Sequence, residues 1–218
     1  LAYKTIESCA PICGICTVPH ALVVKRGLKA QTAKELVDLL RAEPGKLNYG
    51  STGNGSSSHL AAELFKLKTG TQAAHVPYRG GAPLVQDLVN GIVDFGFVAV
   101  ANILGQIEGG LVRAIAIASS TRMPQLPDVP TLAEAGVADV DADAWFAYFA
   151  PARTPPERIT RLAGSIEKAL SAPSVQETFK RNAVITHWRP PDAMPAFVAA
   201  EAKKWADVVR ASGAKPDP

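Results

Sequence analysis

Short apolar runs alternate with amphipathic segments along the first 150 residues of the chain. The apolar runs show little internal alternation with polar residues, which is typical of strands covered on both faces. The sequence predicts strands at residues 16–24, 47–50, 73–77, 93–98, 112–118 and 144–150. Strands of this kind separated by helices indicate an α/β fold with parallel strands.

The segments between these runs carry the start and stop signals of helices. Thr32 and Glu35 form a capping box ahead of an apolar stripe, which predicts a helix that stops at Pro44-Gly45. Two more helices are expected at residues 57–68 and 83–90, each closed by a following glycine.

Composition changes after residue 150. The stretch 151–157 contains three prolines and ends in a second capping box, Thr154 to Glu157. Beyond it, apolar residues with helical spacing are Ile159, Leu162, Ile166 and Leu170, then Phe197, Trp205, Val208 and Val209. We therefore expect one α/β lobe followed by a helical segment that packs elsewhere.

A loop without charged residues is the strongest functional signal. It reads Gly50-Ser51-Thr52-Gly53-Asn54-Gly55-Ser56-Ser57-Ser58-His59, and no charged residue lies between Lys46 and Glu63. Glycines allow a close backbone approach, and hydroxyls with the amides of a helix N-terminus suit a small anion. The alternative is an ordinary N-cap with a glycine turn. The loop has neither the P-loop ending nor the G-x-G-x-x-G spacing, which disfavours nucleotides.

A second glycine-bearing loop follows the strand at residues 73–77 and contains Tyr78 and Arg79. Loops at the carboxyl ends of neighbouring parallel strands converge. We therefore expect Tyr78 to face the same ligand as the loop at residues 51–57.

Charge and length exclude several classes of partner. The net charge is +3 and is not clustered, so nothing resembles the basic stripe of a nucleic-acid-binding protein. No apolar run approaches the roughly 20 residues of a membrane span. Because the chain starts with Leu1, we expect it to be processed or truncated.

Cysteine and histidine offer two enzyme hypotheses. Cys9, Cys13 and Cys16 have the spacing of a radical SAM iron–sulfur motif, although the same segment is also typical of a buried strand. His59 could serve as a base for a neighbouring serine, but no G-x-S-x-G elbow occurs. We interpret the other three histidines, His20, His75 and His187, as isolated and structural, and we expect no metal site and no cofactor.

Several motifs in fixed order resemble a known family. They are Pro44-Gly45-Lys46-Leu47-Asn48-Tyr49, Ser51 to Ala62, His75-Val76-Pro77-Tyr78-Arg79-Gly80, Leu126-Pro127-Asp128-Val129-Pro130-Thr131, Glu134-Ala135-Gly136 and Ala150-Pro151-Ala152. Together they resemble the receptors of tripartite tricarboxylate transporters, the Bug-type solute-binding proteins.

The resemblance implies a type II periplasmic-binding-protein fold, with two α/β lobes around a cleft. It implies a periplasmic receptor without enzymatic activity, which captures a small organic carboxylate by lobe closure and delivers it to integral-membrane transporter subunits. No nucleic-acid partner is implied. The first lobe is expected to be incomplete in this chain. Residues 19–142 would form the second lobe, and residues 1–18 and 143–218 would form the hinge strands and the C-terminal part of the first.

The family's binding site carries over to nine positions. They are Ser51, Thr52, Gly53, Asn54, Gly55, Ser56, Ser57, Tyr78 and Val98. Many relatives carry Asp-Asn where this chain has Val98-Ala99, and that acidic group can bind an ammonium. Its absence predicts a ligand without an amino group. A competing hypothesis is the effector-sensing domain of a bacterial transcription regulator, which shares the two-lobe architecture.

Overall fold

The computed structural model describes residues 5–215. Its strands are β1 (Cys9–Val18), β2 (His20–Lys25), β3 (Asn48–Ser51), β4 (Ala74–Pro77), β5 (Phe95–Ala99), β6 (Val112–Ile117), β7 (Ala144–Pro151) and β8 (Ile185–Arg189). Its helices are α1 (Thr5–Ser8), α2 (Ala33–Ala42), α3 (Ser57–Thr69), α4 (Gly81–Asn90), α5 (Val100–Glu108), α6 (Pro156–Leu170), α7 (Pro173–Arg181) and α8 (Met194–Ser212).

The described chain divides into two compact units. Residues 19–144 with 205–215 contain a sheet in the order β4-β3-β5-β2-β6, and we call them the five-stranded unit. Residues 5–18 with 145–204 contain the sheet β7-β1-β8, and we call them the three-stranded unit. This division differs from the expected one at the C-terminal end. Residues from 205 onward join the five-stranded unit because Trp205 and Val208 pack against its core.

The five-stranded sheet is mixed. Strand β3 runs parallel to β4 and β5, as predicted, whereas β2 is antiparallel to β5 and β6. The expectation of parallel strands therefore holds for β3, β4 and β5 and is wrong for β2. The single strand expected at residues 16–24 is also wrong, because Pro19 separates β1 from β2 and the two strands belong to different units. Strand β2 has no crossover helix before it, so its connection does not impose a parallel direction.

Of the two predicted capping boxes, the N-cap at Thr32 is confirmed and the one at Thr154 is wrong. The N-cap of α2 is confirmed, since the Glu35 amide donates to Thr32 Oγ1 at 3.2 Å. The capping box at Thr154 is wrong, because α6 begins at Pro156 and has no side-chain cap bond. Proline suits the first helical position, where its missing N–H has no partner to lose. The sequence analysis also missed α5 and β8.

Glycines let helix α4 and the central strands approach each other closely. A Cβ on Gly50 would lie 2.2 Å from Leu84 Cδ1, and one on Gly96 would lie 2.9 Å from the Gly50 carbonyl oxygen. Leu84 therefore rests directly on the backbone of β3. On the other face of the sheet, Phe65 and Phe97 pack in the main core with ring centroids 5.7 Å apart. These contacts fix the carboxyl end of β3, where the candidate loop begins.

The three-stranded unit has a smaller core. Ile12 and Cys13 of β1 pack with Ala163 of α6, and the predicted stripe residues Ile159 and Ile166 lie against them. The three cysteines lie on β1 and are free thiols. Burial raises the pKa of the Cys13 and Cys16 thiols, so both stay protonated and behave as small apolar groups.

We expect Gly50→Ala to lower the free energy of unfolding by about 1–3 kcal/mol, because the added methyl group overpacks the contact with Leu84. Urea denaturation followed by circular dichroism measures the change. Gly105→Ala is the matched control, since a Cβ at this exposed position in α5 meets nothing within 4 Å. It should stabilise the protein by about 0.5–1 kcal/mol. Equal stability of the two variants would contradict the close approach.

Candidate ligand-binding loop

Residues 51–58, which we call the serine loop, run from the last residue of β3 into the first turn of α3. Tyr78 follows β4, and its amide donates to the Ser51 carbonyl oxygen at 2.9 Å. The parallel pairing of β3 with β4 therefore places the two loops side by side at one edge of the sheet. Within the loop, Gly53 and Gly55 have φ values of 125° and 73°, with the half-buried Asn54 between them. Such values are readily adopted by glycine.

Side chains of the chain itself occupy several loop amides. The amides of Thr52 and Gly53 donate to Ser58 Oγ at 2.9 Å and to Ser51 Oγ at 3.2 Å. The Gly55 amide donates to His59 Nδ1 at 3.0 Å. The sequence analysis expected the amides around Asn54 to be available for a ligand, and that expectation is wrong for these three. The pairing of β3 with β4 ends at Ser51, so nearby hydroxyl and imidazole groups satisfy the amides of Thr52, Gly53 and Gly55.

The first turn of α3 keeps two amides available. Ser56 is the N-cap, and its Oγ accepts from the His59 amide at 3.3 Å. Among the described residues, no group accepts from the amides of Ser57 and Ser58. Ser57 is exposed, whereas Ser58 is only 1% exposed. A buried amide without a partner is unfavourable, so this helix end gains from an incoming acceptor.

The loop hydroxyls also contact one another. Ser56 Oγ lies 2.7 Å from the Gly53 carbonyl oxygen and 3.0 Å from Ser58 Oγ. Ser58 Oγ in turn lies 3.0 Å from Thr52 Oγ1. The side chains of Thr52, Ser56 and Ser58 thus form one connected hydrogen-bond series, which we call the hydroxyl relay.

Three stacked aromatic rings, those of Tyr49, His75 and His59, support the serine loop, and the two histidines contact it directly. The His59 and His75 rings lie 4.0 Å apart with an interplanar angle of 7°, and Tyr49 stacks on His75 at 4.8 Å. His75 Nε2 also lies 2.6 Å from Ser51 Oγ. The interpretation of His75 as isolated is therefore wrong. The missed signal is that Tyr49 and His75 face each other across β3 and β4.

A buried carboxylate joins these rings to a lysine. Glu63 is 7% exposed, and its Oε1 accepts from the Tyr49 hydroxyl and from Lys66 Nζ, the latter at 2.7 Å. His59 Nε2 lies 3.8 Å from the same oxygen. Burial raises the pKa of Tyr49, and the bond to Glu63 adds to that effect. The negative charge of Glu63 is thus paired within the support of the loop.

His59 is held in its neutral form. Burial lowers its pKa and Lys66 acts in the same direction, against the opposing effect of Glu63. A neutral imidazole keeps a lone pair on one nitrogen. Because the Gly55 amide donates to Nδ1, the proton of His59 resides on Nε2, on the side of Glu63. The neutral ring therefore fixes the position of Gly55.

His20 connects β2 to the serine loop. It is 2% exposed, with Nδ1 3.0 Å from the Ala142 carbonyl oxygen and Nε2 3.4 Å from Ser57 Oγ. Burial lowers the pKa of His20 to about 4, although the bond to Ala142 raises it in part. A carbonyl oxygen only accepts, so Nδ1 carries the proton and Nε2 accepts from the Ser57 hydroxyl. His20 had been interpreted as isolated, and that interpretation is also wrong.

The remaining two predicted site residues have other contacts. The Tyr78 hydroxyl donates to Asp87 Oδ2 at 2.7 Å, and burial together with this bond raises the pKa of Tyr78 to about 12. The hydroxyl proton of Tyr78 is therefore donated to Asp87 of α4 and is not offered to a ligand. Val98 has an exposed fraction of zero, so its side chain is part of the interior of β5 and has no surface to offer a ligand.

We expect the stability of the protein to fall as the pH is lowered from 6.5 to 4. The pKa of His20 drops from 6.5 to about 4 on folding, so the unfolded chain binds the additional proton throughout that interval. The free energy of unfolding should decrease by about 3 kcal/mol from this residue alone. Urea denaturation at pH 7 and pH 4 measures the difference between the parent protein and His20→Asn.

The variant His20→Asn should lose the part of this pH dependence that His20 supplies, about 3 kcal/mol, whereas His59 and His187, whose pKa values are also lowered, keep their contributions. His187→Asn is the comparison, because His187 is exposed and belongs to the three-stranded unit. Burial and Arg189 lower the pKa of His187 as well, so this variant should also lose some pH dependence, but less than His20→Asn. An unchanged pH dependence in His20→Asn would contradict the assignment of a neutral, buried His20.

Two further searches cover the part of the chain that the structure describes. Residues 5–215 contain no group of three or more His, Cys, Asp or Glu side chains arranged to hold a metal ion. None of the helices within the same residues has both the length and the hydrophobicity needed to cross a bilayer.

Known proteins of similar sequence are longer than this chain. BugT of Bordetella pertussis is 37% identical over 215 residues, which cover 99% of this chain and 66% of BugT. A protein of the tcbD-tcbE intergenic region in Pseudomonas sp. strain P51 is 35% identical over 208 residues, covering 95% of this chain and 62% of that protein. The chain thus spans less than two thirds of the length of these relatives.

Solved structures share the fold. Rpa4515 from R. palustris with adipate has a TM-score of 0.87 and 32% identity, and the match covers 99% of this chain and 72% of that one. MatC from Rhodopseudomonas palustris with bound malate has a TM-score of 0.85 and 28% identity, over 96% and 72% of the two chains. The periplasmic binding protein BugD also has a TM-score of 0.85 and 28% identity, over 99% and 73%. The expected periplasmic-binding-protein fold is confirmed.

The match to a protein family agrees with these relatives. The model of the tripartite tricarboxylate transporter family receptor matches residues 1–214, which is nearly the whole chain. The chain belongs to this receptor family.

Proposed function

We propose that this chain is the ligand-binding part of a periplasmic receptor that captures a small organic carboxylate for a tripartite membrane transporter. The observation that carries the proposal is the pair of amides at Ser57 and Ser58, which no described group occupies at the start of α3. Adipate and malate in the solved relatives support a carboxylate as the ligand.

The helix end supplies a modest attraction without a formal charge. The positive end of a helix dipole stabilises a nearby anion by about 0.3–1 kcal/mol, and by up to about 2 kcal/mol when it is partly buried. Helix α3 has 13 residues and no acidic side chain in its first turn. Hydrogen bonds from its amides to a carboxylate add affinity and direction. Such a site binds the anion and still releases it, as a transport receptor must.

The binding site would be completed by the first lobe. In this proposal the five-stranded unit is the second lobe and carries the serine loop, and the three-stranded unit belongs to the first lobe. A ligand that contacts both lobes favours a closed state by its higher affinity for that state. The closed receptor would then be recognised by integral-membrane subunits.

The residues at the end of β5 indicate whether the ligand can carry a positively charged amino group. The chain has Val98-Ala99 at this position, without a carboxylate to pair with an ammonium. Burying an unpaired ammonium is unfavourable. We therefore propose a ligand without an amino group, and binding of aspartate or glutamate in preference to simple dicarboxylates would contradict it.

The variants Ser57→Pro and Ser57→Ala test the role of the Ser57 amide. Ser57 is the first residue of α3, where proline is tolerated, and Ser56 before it has an extended conformation with ψ of 161°. Both variants lose the hydroxyl, but only Ser57→Pro loses the amide proton. A hydrogen bond to a charged group contributes about 1.5–3 kcal/mol, so Ser57→Pro should bind the carboxylate at least about tenfold more weakly than Ser57→Ala.

Isothermal titration calorimetry of the full-length protein with a panel of mono- and dicarboxylates measures these affinities. Urea denaturation should show similar stability for the two variants, which excludes unfolding as the cause. Equal affinities for Ser57→Pro and Ser57→Ala would contradict binding at this helix end.

A further inference from the structure

We infer that the serine loop selects a carboxylate that carries a hydroxyl group on the neighbouring carbon. The inference deepens the proposed function and rests on it. Its basis is the direction of the hydrogen bonds in the loop. The hydroxyl protons are donated to other groups of the protein, so Thr52 and Ser57 can only accept a hydrogen bond from a ligand. Such acceptors call for a hydrogen-bond donor on the ligand beside its carboxylate.

The direction of the hydroxyl relay follows from its inner end. The Gly53 carbonyl oxygen can only accept, so Ser56 donates its proton to it at 2.7 Å. The contact of 3.0 Å between Ser56 and Ser58 is then a hydrogen bond only if Ser58 donates. By the same reasoning, Thr52 donates to Ser58 across 3.0 Å. In any other arrangement, two oxygen lone pairs would face each other.

The inner members of the relay have no capacity left for a ligand. Ser58 Oγ donates once and accepts from both the amide and the hydroxyl of Thr52. Ser56 Oγ donates to Gly53 and accepts from Ser58 and from the His59 amide. A hydroxyl oxygen has one proton and two lone pairs, so both groups are saturated. Only the half-buried Thr52 Oγ1 retains lone pairs.

The Ser57 hydroxyl also donates its proton within the protein and keeps lone pairs for a ligand, for an independent reason. The Ala142 carbonyl oxygen holds the proton of His20 on Nδ1, and Nε2 lies 3.4 Å from Ser57 Oγ. The Ser57 hydroxyl therefore donates to His20, and its lone pairs remain on the exposed side. The sequence analysis expected the loop hydroxyls to suit an anion, which requires them to donate, whereas the hydroxyl protons of Thr52 and Ser57 go to Ser58 and His20.

Ser57 consequently offers one donor and one acceptor. Its amide can bind a carboxylate oxygen, while its Oγ repels a second one and attracts a hydroxyl proton. The two atoms are about 3 Å apart in the two gauche rotamers of serine. The carboxylate oxygen and the hydroxyl oxygen of a 2-hydroxy acid have a similar separation. His20 thus acts as a positioning residue that determines specificity through Ser57.

Matched acid pairs test this inference. Malate and succinate, lactate and propionate, and mandelate and phenylacetate each differ by one hydroxyl group. Calorimetry on the full-length protein should show that at least one hydroxy acid binds about fivefold more tightly than its partner, the value expected from one added hydrogen bond.

Three variants show whether the loop hydroxyls cause the preference. Ser57→Ala and Thr52→Val each remove an acceptor and should bring the affinity ratio of the preferred pair toward one. His20→Asn keeps a donor for the Ala142 carbonyl oxygen but loses the acceptor at Nε2, which frees the Ser57 proton. In that variant the ratio should fall because the acid without the hydroxyl binds more tightly. A purely structural role of His20 would weaken both acids alike.

The outcomes separate the inference from the proposed function. Acids that bind without any preference for the hydroxylated partner would contradict the inference and leave the proposed function intact, with water taking the place of the ligand hydroxyl. A preference that survives both Ser57→Ala and Thr52→Val would also contradict it. If no carboxylate binds at all, the proposed function is wrong and the inference falls with it.

Discussion

The serine loop depends on one constraint, which is that buried amides need hydrogen-bond partners. Its glycine conformations prevent a regular ladder, so Ser51, Ser58 and His59 supply the acceptors. These contacts use most of the hydrogen-bond donors and acceptors of the loop. The amides of Ser57 and Ser58, from which no described group accepts, stand at the start of α3, where the geometry of the helix leaves them without a carbonyl partner.

The charges and protonation states of the residues that support the serine loop also help to give its buried amides hydrogen-bond partners. Gly55 needs an acceptor on His59, and only a neutral imidazole provides one. Burial keeps the ring neutral, and Lys66 balances the nearby carboxylate of Glu63. An ion pair at this depth contributes little net stability, since desolvation offsets the attraction. Its effect is to fix the rings that hold the loop in place.

The sequence predicted those features that depend on local spacing. Helix α3 was expected at residues 57–68 and spans Ser57–Thr69, because its N-cap and its closing glycine are both local signals. Features that depend on distant pairing were missed. His20 and Ser57 are 37 positions apart, and their contact requires both the interruption at Pro19 and the antiparallel direction of β2. The polarity of the loop hydroxyls could not be predicted, since it depends on which atoms lie within hydrogen-bond distance.

Neither unit of this protein is a continuous stretch of sequence. The five-stranded unit takes residues 19–144 and then a last contribution from 205 onward, where Val208 is only 5% exposed within its core. Closing such long connections is entropically unfavourable before any contact forms. A fragment that ended at residue 144 would keep the whole serine loop and yet expose the apolar surface that Val208 and Trp205 cover. Isolation of the binding loop as a stable module therefore requires a permuted chain in which the final helical segment is joined to the N-terminus of β2.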